Sequence, residues 1–123
     1  MGQSKKNPLY KSFGYAFEGI FTGIRKERNM KIHCCAMLGV ICAGMFFQIS
    51  ILEWCICLVL FGLILSLELV NTAVEAVVDL VTEDKKMLAK IAKDTAAGAV
   101  LIAAIMAAIA GCIIFIPRLL DIL

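Results

Sequence analysis

The chain has 123 residues, 62% of them hydrophobic and 18% charged, with a net charge of +2. A soluble domain of this length has too little interior to hide so much apolar surface, and nine glycines with two prolines exclude a collagen-like or disordered chain. So small a net charge gives nucleic acid no footing, which leaves one small integral membrane domain over 1–123.

Over about 8–30, Phe13, Phe17, Ile20, Phe21 and Ile24 recur at helical spacing, while Lys11, Glu18, Arg25 and Lys26 occupy much of the rest. This predicts an amphipathic helix lying in the membrane interface, a reading compatible with its packing on the rest of the chain. The segment lacks the long apolar region and small-residue cleavage site of a signal peptide. Cys34 to Leu52 then runs nineteen residues without a charge, close to the roughly twenty that a span needs, and predicts a first transmembrane helix over 31–51. His33 stands alone at its start and reads as an interfacial residue rather than a ligand.

Trp54 to Leu67 is only fourteen residues, but no helix breaker follows before Thr82. A second transmembrane helix is therefore predicted over 53–82, with acids on its later half. Thr95 to Pro117 is free of charge for twenty-three residues and predicts a third over 87–116. The six cysteines all lie in apolar runs without zinc or thioredoxin spacing, and read as small apolar residues. Seven of the twelve basic residues precede His33, four fall between Lys85 and Lys93, and only Arg118 lies beyond. The positive-inside rule puts the N-terminus and the second connection in the cytoplasm, and the Gln48–Glu53 turn and C-terminus outside.

The second helix carries the chemistry. At about 100° per residue, Asn71, Thr72, Glu75 and Asp79 all fall within about 60° of Glu68 on one face. An ionisable side chain in the bilayer costs at least about 2.5 kcal/mol, so it faces protein, water or a ligand. Pairing with basic residues is the structural alternative, but no lysine or arginine lies at matching depth on the other two spans. With hydrocarbon from Trp54 for about twenty residues, Glu68 lies about 7 Å inside the cytoplasmic boundary, Glu75 near the headgroups and Asp79 beyond them. Near that surface also fall Glu27 in a basic cluster, the Asp84-Lys85-Lys86 turn, and Lys93 with Asp94. Carboxylates can hold Mg²⁺, lysines can neutralise phosphate oxygens, and one acid can take a proton from an attacking hydroxyl. These are the parts of a phosphoryl-transfer centre acting on a lipid hydroxyl, built without a glycine-rich phosphate loop.

The run Glu68, Asn71, Thr72, Ala73, Glu75, Val78, Asp79, in the pattern E-x-x-N-T-A-x-E-x-x-V-D, resembles the signature of the prokaryotic diacylglycerol kinase and undecaprenol kinase family. The stretch from Leu88 through Lys93 and Asp94 to Val100 resembles its second block. The segments around Phe13–Ile20 and Glu27–His33 match its surface-helix region, so that the similarity covers about 10–116. The resemblance implies an all-α membrane homotrimer, each chain with a surface helix and three transmembrane helices, with active sites shared between neighbours in a bacterial cell membrane. It implies Glu68 as the base toward the lipid hydroxyl, Glu27 and Glu75 as ligands of the Mg²⁺ that bridges the ATP phosphates, and Asn71 as a residue ordering them. Tyr15, Asp84, Lys85, Lys86, Lys93 and Asp94 would contact ATP, and Asp79 would support the nucleotide end. Lys86 stands where many relatives carry histidine. Leu80, after Asp79, is more like the Gram-positive undecaprenol kinase branch than the diacylglycerol branch, which often has arginine there. The expected reaction is ATP-dependent phosphorylation of undecaprenol, with diacylglycerol as the alternative acceptor. A small multidrug or proton-coupled transporter and a structural membrane subunit are the readings from other classes; the first would favour a midplane acid with access from both faces.

Overall fold

The computed structural model of the protein describes residues 8–123, so Lys5 and Lys6 of the N-terminal basic set lie outside the described residues. Four helices follow one another: α1 (Leu9–Lys26), α2 (Arg28–Phe47), α3 (Ile51–Val81) and α4 (Met87–Ile122). The last three are long and apolar enough to cross a membrane. At about 1.5 Å per residue, α3 and α4 reach about 46 and 54 Å, so their ends project beyond a hydrocarbon layer of about 30 Å.

The helix expected to run to residue 30 stops at Lys26, and α2 begins at Arg28 rather than 31. Between them Glu27 is extended, with φ −96° and ψ 118°, and closes α1 by donating its N–H to the Gly23 carbonyl at 3.1 Å. The bend is needed because α1 docks on α3: a Cβ on Gly23 would stand 2.5 Å from Leu69 Cδ2. Met30, 1% exposed, fills the inside of this elbow. Glu27 therefore sits at the joint between two helices and not inside either.

α2 ends at Phe47, short of the expected 51, because Gln48 turns left-handed with φ 53° and ψ 56°. The Ile49 N–H then reaches back to the Gly44 carbonyl at 3.1 Å, the six-to-one closure of a helix end, with Ile49 buried beneath it. Ser50 and Glu53 form a capping box that starts α3 three residues before Trp54. The Trp54 indole lies so close over Gly44 that a Cβ there would meet it at 2.7 Å and Ile49 Cδ1 at 3.1 Å. Gly44→Ala is accordingly expected to destabilise the protein by about 1–3 kcal/mol. Thermal unfolding in detergent would show it, with the single tryptophan reporting a displaced ring; an unaltered transition and emission would contradict the contact.

α3 and α4 pack most extensively. Small residues along α4, including the buried Ala103, let the backbones approach. One end of this hairpin is fastened by Lys93 Nζ to Asp79 Oδ1 at 2.6 Å. At the other, Arg118 grips Glu53 through two hydrogen bonds of 2.6 and 2.9 Å. α4 was expected to end at 116 but continues through Pro117 to Ile122. Proline has no N–H to offer the Ile113 carbonyl four residues back; the Arg118 guanidinium donates to the neighbouring Ile114 carbonyl at 2.7 Å. The core between the helices is small: Ile49, Cys57 and Ile114, with Phe47, Trp54 and Phe61 against them. Leu58, Val59 and Ile102 are among many large apolar side chains left exposed, the surface of a chain whose surroundings are lipid or other apolar helices.

Candidate active site

Along α3 the polar face passes from interior to surface in order. Glu68 is 1% exposed and Asn71 8%; Glu75 is half-buried and Asp79 exposed. Thr72 shares the face, but its hydroxyl turns back to donate to the Glu68 backbone carbonyl at 3.0 Å. Both Glu68 carboxylate oxygens and Asn71 Oδ1 are buried without a hydrogen-bond partner among the described residues. Buried polar atoms are nearly always paired in a finished interior, because each orphan forfeits its hydration. Three orphans on consecutive turns of one helix make this face the candidate site for a polar ligand.

They face a cavity of about 280 Å³ bounded by Asn29 and His33 from α2 and by Ala97, Val100 and Ala104 from α4. A second, apolar cavity of about 260 Å³ shares His33 and Ala104 with it and continues between α2, α3 and α4 past Val40 and Phe61. The polar chamber holding Glu68 and an apolar groove thus meet at His33. That groove has the character of a hydrocarbon site; the chamber has that of a headgroup site.

Further along, the connection between α3 and α4 forms a charged cleft of about 510 Å³. Asp84, Lys85 and Lys86 line it together with Asp79, Lys93 and Asp94. The connection is held by the Asp84 N–H donating to Thr82 Oγ1 at 3.1 Å and the Lys86 N–H to the Asp84 carbonyl at 2.9 Å. Lys90 pairs with Asp94 at 2.5 Å and Lys93 with Asp79 at 2.6 Å. Both pairs are exposed enough that an incoming polyanion can exchange for the carboxylates at little cost.

Glu75 stands between chamber and cleft, within coulombic reach of Glu27, Glu68, Asp79 and Lys93. The elbow therefore brings Glu27 toward Glu75 although the two are far apart in sequence. Among the described residues no three His, Cys, Asp or Glu side chains converge as a metal cage. Two neighbouring carboxylates suit Mg²⁺ that arrives with a nucleotide, since this ion takes one or two protein carboxylates and completes its shell with phosphate oxygens and water.

Tyr15 is not brought to this site within the chain. It lies on α1 in a shallow depression with Tyr10, Lys11 and Glu18. His33, in contrast, is corrected from an interfacial residue to a member of the chamber: its Nε2 lies 3.5 Å from Glu68 Oε2. Hydrophobicity and spacing along one helix could not reveal this, because the two residues are on different helices. Counting outward from the Gln48–Ser50 turn, which sets them at similar levels, is the signal that finds it.

Comparison with known proteins agrees with these features. The family model described as prokaryotic diacylglycerol kinase matches residues 14–115, a span that contains every candidate site residue from Tyr15 to Asp94. The undecaprenol kinase of Bacillus subtilis is 44% identical over 117 residues, covering 95% of this chain and 95% of the relative. The diacylglycerol kinase of Synechocystis sp. is 41% identical over 116 residues, covering 94% of this chain and 66% of that protein.

Proposed function

Since the chain belongs to the prokaryotic diacylglycerol kinase family, a family of membrane lipid kinases, we propose that it transfers the γ-phosphoryl group of ATP to undecaprenol, giving undecaprenyl phosphate and ADP. The observation that carries this reading is the buried, unpartnered Glu68 carboxylate, set between an apolar groove and a charged cleft. The groove takes the hydrocarbon chain, the chamber takes the hydroxyl, and Glu68 accepts its proton as the oxygen attacks phosphorus. Asn71 helps to order the ATP phosphates. Lys85, Lys86 and Lys93, with Asp84, Asp79 and Asp94 among them, receive the nucleotide. Glu27 and Glu75 hold Mg²⁺, which neutralises charge on the ATP phosphates.

The family assignment removes the transporter and structural-subunit readings. Diacylglycerol remains the second acceptor, because a relative of 41% identity is a diacylglycerol kinase. Leu80 and the higher identity to an undecaprenol kinase favour the first.

The protein is a multi-pass membrane protein, and we place it in the bacterial cell membrane with the N-terminus and the α3–α4 connection in the cytoplasm and the C-terminus outside. The distribution of basic residues supports that orientation. We also infer a homotrimer with active sites shared between neighbouring chains and α1 lying at the membrane surface. The position of Tyr15 supports it: a residue expected at ATP lies away from the cleft of its own chain.

The test uses purified protein in mixed micelles with γ-labelled ATP and Mg²⁺, and offers undecaprenol and diacylglycerol separately. Label is expected to pass preferentially into undecaprenyl phosphate. Preference for diacylglycerol would replace the acceptor and keep the site. Labelling of neither lipid by folded, oligomeric protein would overturn the kinase reading.

A further inference from the structure

His33 is the single histidine of the chain. Its side chain is 19% exposed, that of Glu68 is 1% exposed, and Nε2 stands 3.5 Å from Glu68 Oε2. That separation is slightly too long for a hydrogen bond, and both carboxylate oxygens are without any other partner among the described residues. Hydrogen bonds at catalytic groups are often long before substrates arrive and tighten in the reacting complex. His33 also lines both the polar chamber and the apolar groove, so a lipid that lies in that groove with its hydroxyl at Glu68 lies against it.

Resting on the kinase reading, we propose that His33 is the positioning residue of Glu68: its Nε2–H closes onto Oε2 when the lipid enters, and leaves Oε1 to receive the hydroxyl proton. A carboxylate with two free oxygens in an apolar chamber can rotate about its terminal torsion, which is soft and nearly two-fold. One fixed donor removes that freedom and leaves the other oxygen aimed at the hydroxyl. The neutral imidazole supplies such a donor with its proton on Nε2. The proton from the lipid oxygen ends on Glu68 Oε1, the new bond joins the lipid oxygen to the γ-phosphorus, and ADP leaves with the electrons of the broken P–O bond. His33 itself neither gains nor loses a proton in the transfer step.

The inference separates from a mere packing role through two side chains of nearly equal length. Glutamine can present an N–H where methionine cannot. His33→Met is expected to lower kcat by about 10- to 100-fold, the scale of misplacing a reacting group by about an ångström, with KM for ATP unchanged. His33→Gln is expected to recover most of that loss. Should His33→Met fail to fold, His33→Phe repeats the comparison. A methionine or phenylalanine variant as fast as wild type, or a glutamine variant as slow as either, would overturn the proposal. A second measurement requires no change at His33. With ¹⁵N-labelled histidine, the single Nε2 resonance is expected to move in Glu68→Gln and to stay in place in Asp79→Asn; an Nε2 signal indifferent to Glu68→Gln would overturn the contact. Failure of wild-type protein to phosphorylate any lipid would sink the kinase reading, whereas an active wild type with indifferent His33 variants would sink only this one.

Discussion

Glu68→Gln is expected to lower phosphoryl transfer by about 10²–10⁴-fold, the usual contribution of a positioned base, while assembly in detergent is retained. The substitution keeps size and shape and removes only the capacity to take a proton. Near-normal phosphorylation by this variant would remove Glu68 from the role of base. The same position should behave in the opposite sense toward stability. The carboxyl is buried with neither oxygen hydrogen-bonded, and a buried polar group left unpaired costs about 1–3 kcal/mol that an apolar side chain does not. Glu68→Leu is therefore expected to unfold at a higher temperature than wild type while being inactive. Residues kept for packing lose stability when replaced; a residue that gains it is held in place by function. A lowered unfolding temperature for Glu68→Leu would show that the carboxyl is structurally needed.

Glu75→Gln is expected to shift the Mg²⁺ dependence of transfer upward by about 10- to 100-fold, with much of the turnover regained at saturating metal. The magnitude follows from losing one charge-assisted contact of about 1.5–3 kcal/mol, where about 1.4 kcal/mol is a factor of ten. Glu27→Gln should move the curve in the same direction, because the elbow holds Glu27 within coulombic reach of Glu75. The two substitutions together should exceed either. A titration with Mg²⁺ at fixed ATP reads all three variants; an unchanged curve for Glu75→Gln would exclude a metal role. The contrast with Glu68 is itself informative, since no concentration of Mg²⁺ should restore a missing base.

The ladder on α3 was legible in the sequence because a single helix fixes the angular relation of its own residues. Glu68, Asn71, Glu75 and Asp79 needed only the helical period; their graded burial follows from α2 and α4 closing over the Glu68 and Asn71 turns and leaving Asp79 open. What crosses between helices was less legible. The run Arg25-Lys26-Glu27-Arg28 contains neither glycine nor proline, so nothing local announces the elbow; its cause is the close seating of Gly23 on Leu69. Pro117 misleads in the other direction: α4 runs on through it to Ile122, with Arg118 held by Glu53 just beyond. His33 was misplaced because a lone histidine at the start of a span has no partner in its own sequence neighbourhood. Glu53 was visible as a charge beside a turn, yet its double role, capping α3 and holding Arg118, belongs to the folded chain.

The two ion pairs of the α3–α4 hairpin have a mechanical consequence. Glu53 and Asp79 lie about 39 Å apart along α3, and their partners Arg118 and Lys93 about 38 Å apart along α4, at 1.5 Å per residue. These matched intervals fit one register of the hairpin, in which the Glu53–Arg118 pair stays closed when Lys93 is drawn to a polyanion. A slip of one residue would carry α3 by about 1.5 Å and turn it by about 100°, parting both fastenings together. The level of Glu68 along α4, beside Val100 and Ala104, is set by that register. On the proposed reading, an acceptor brings its hydroxyl to that level of the hairpin, where the polar chamber meets the apolar groove at His33.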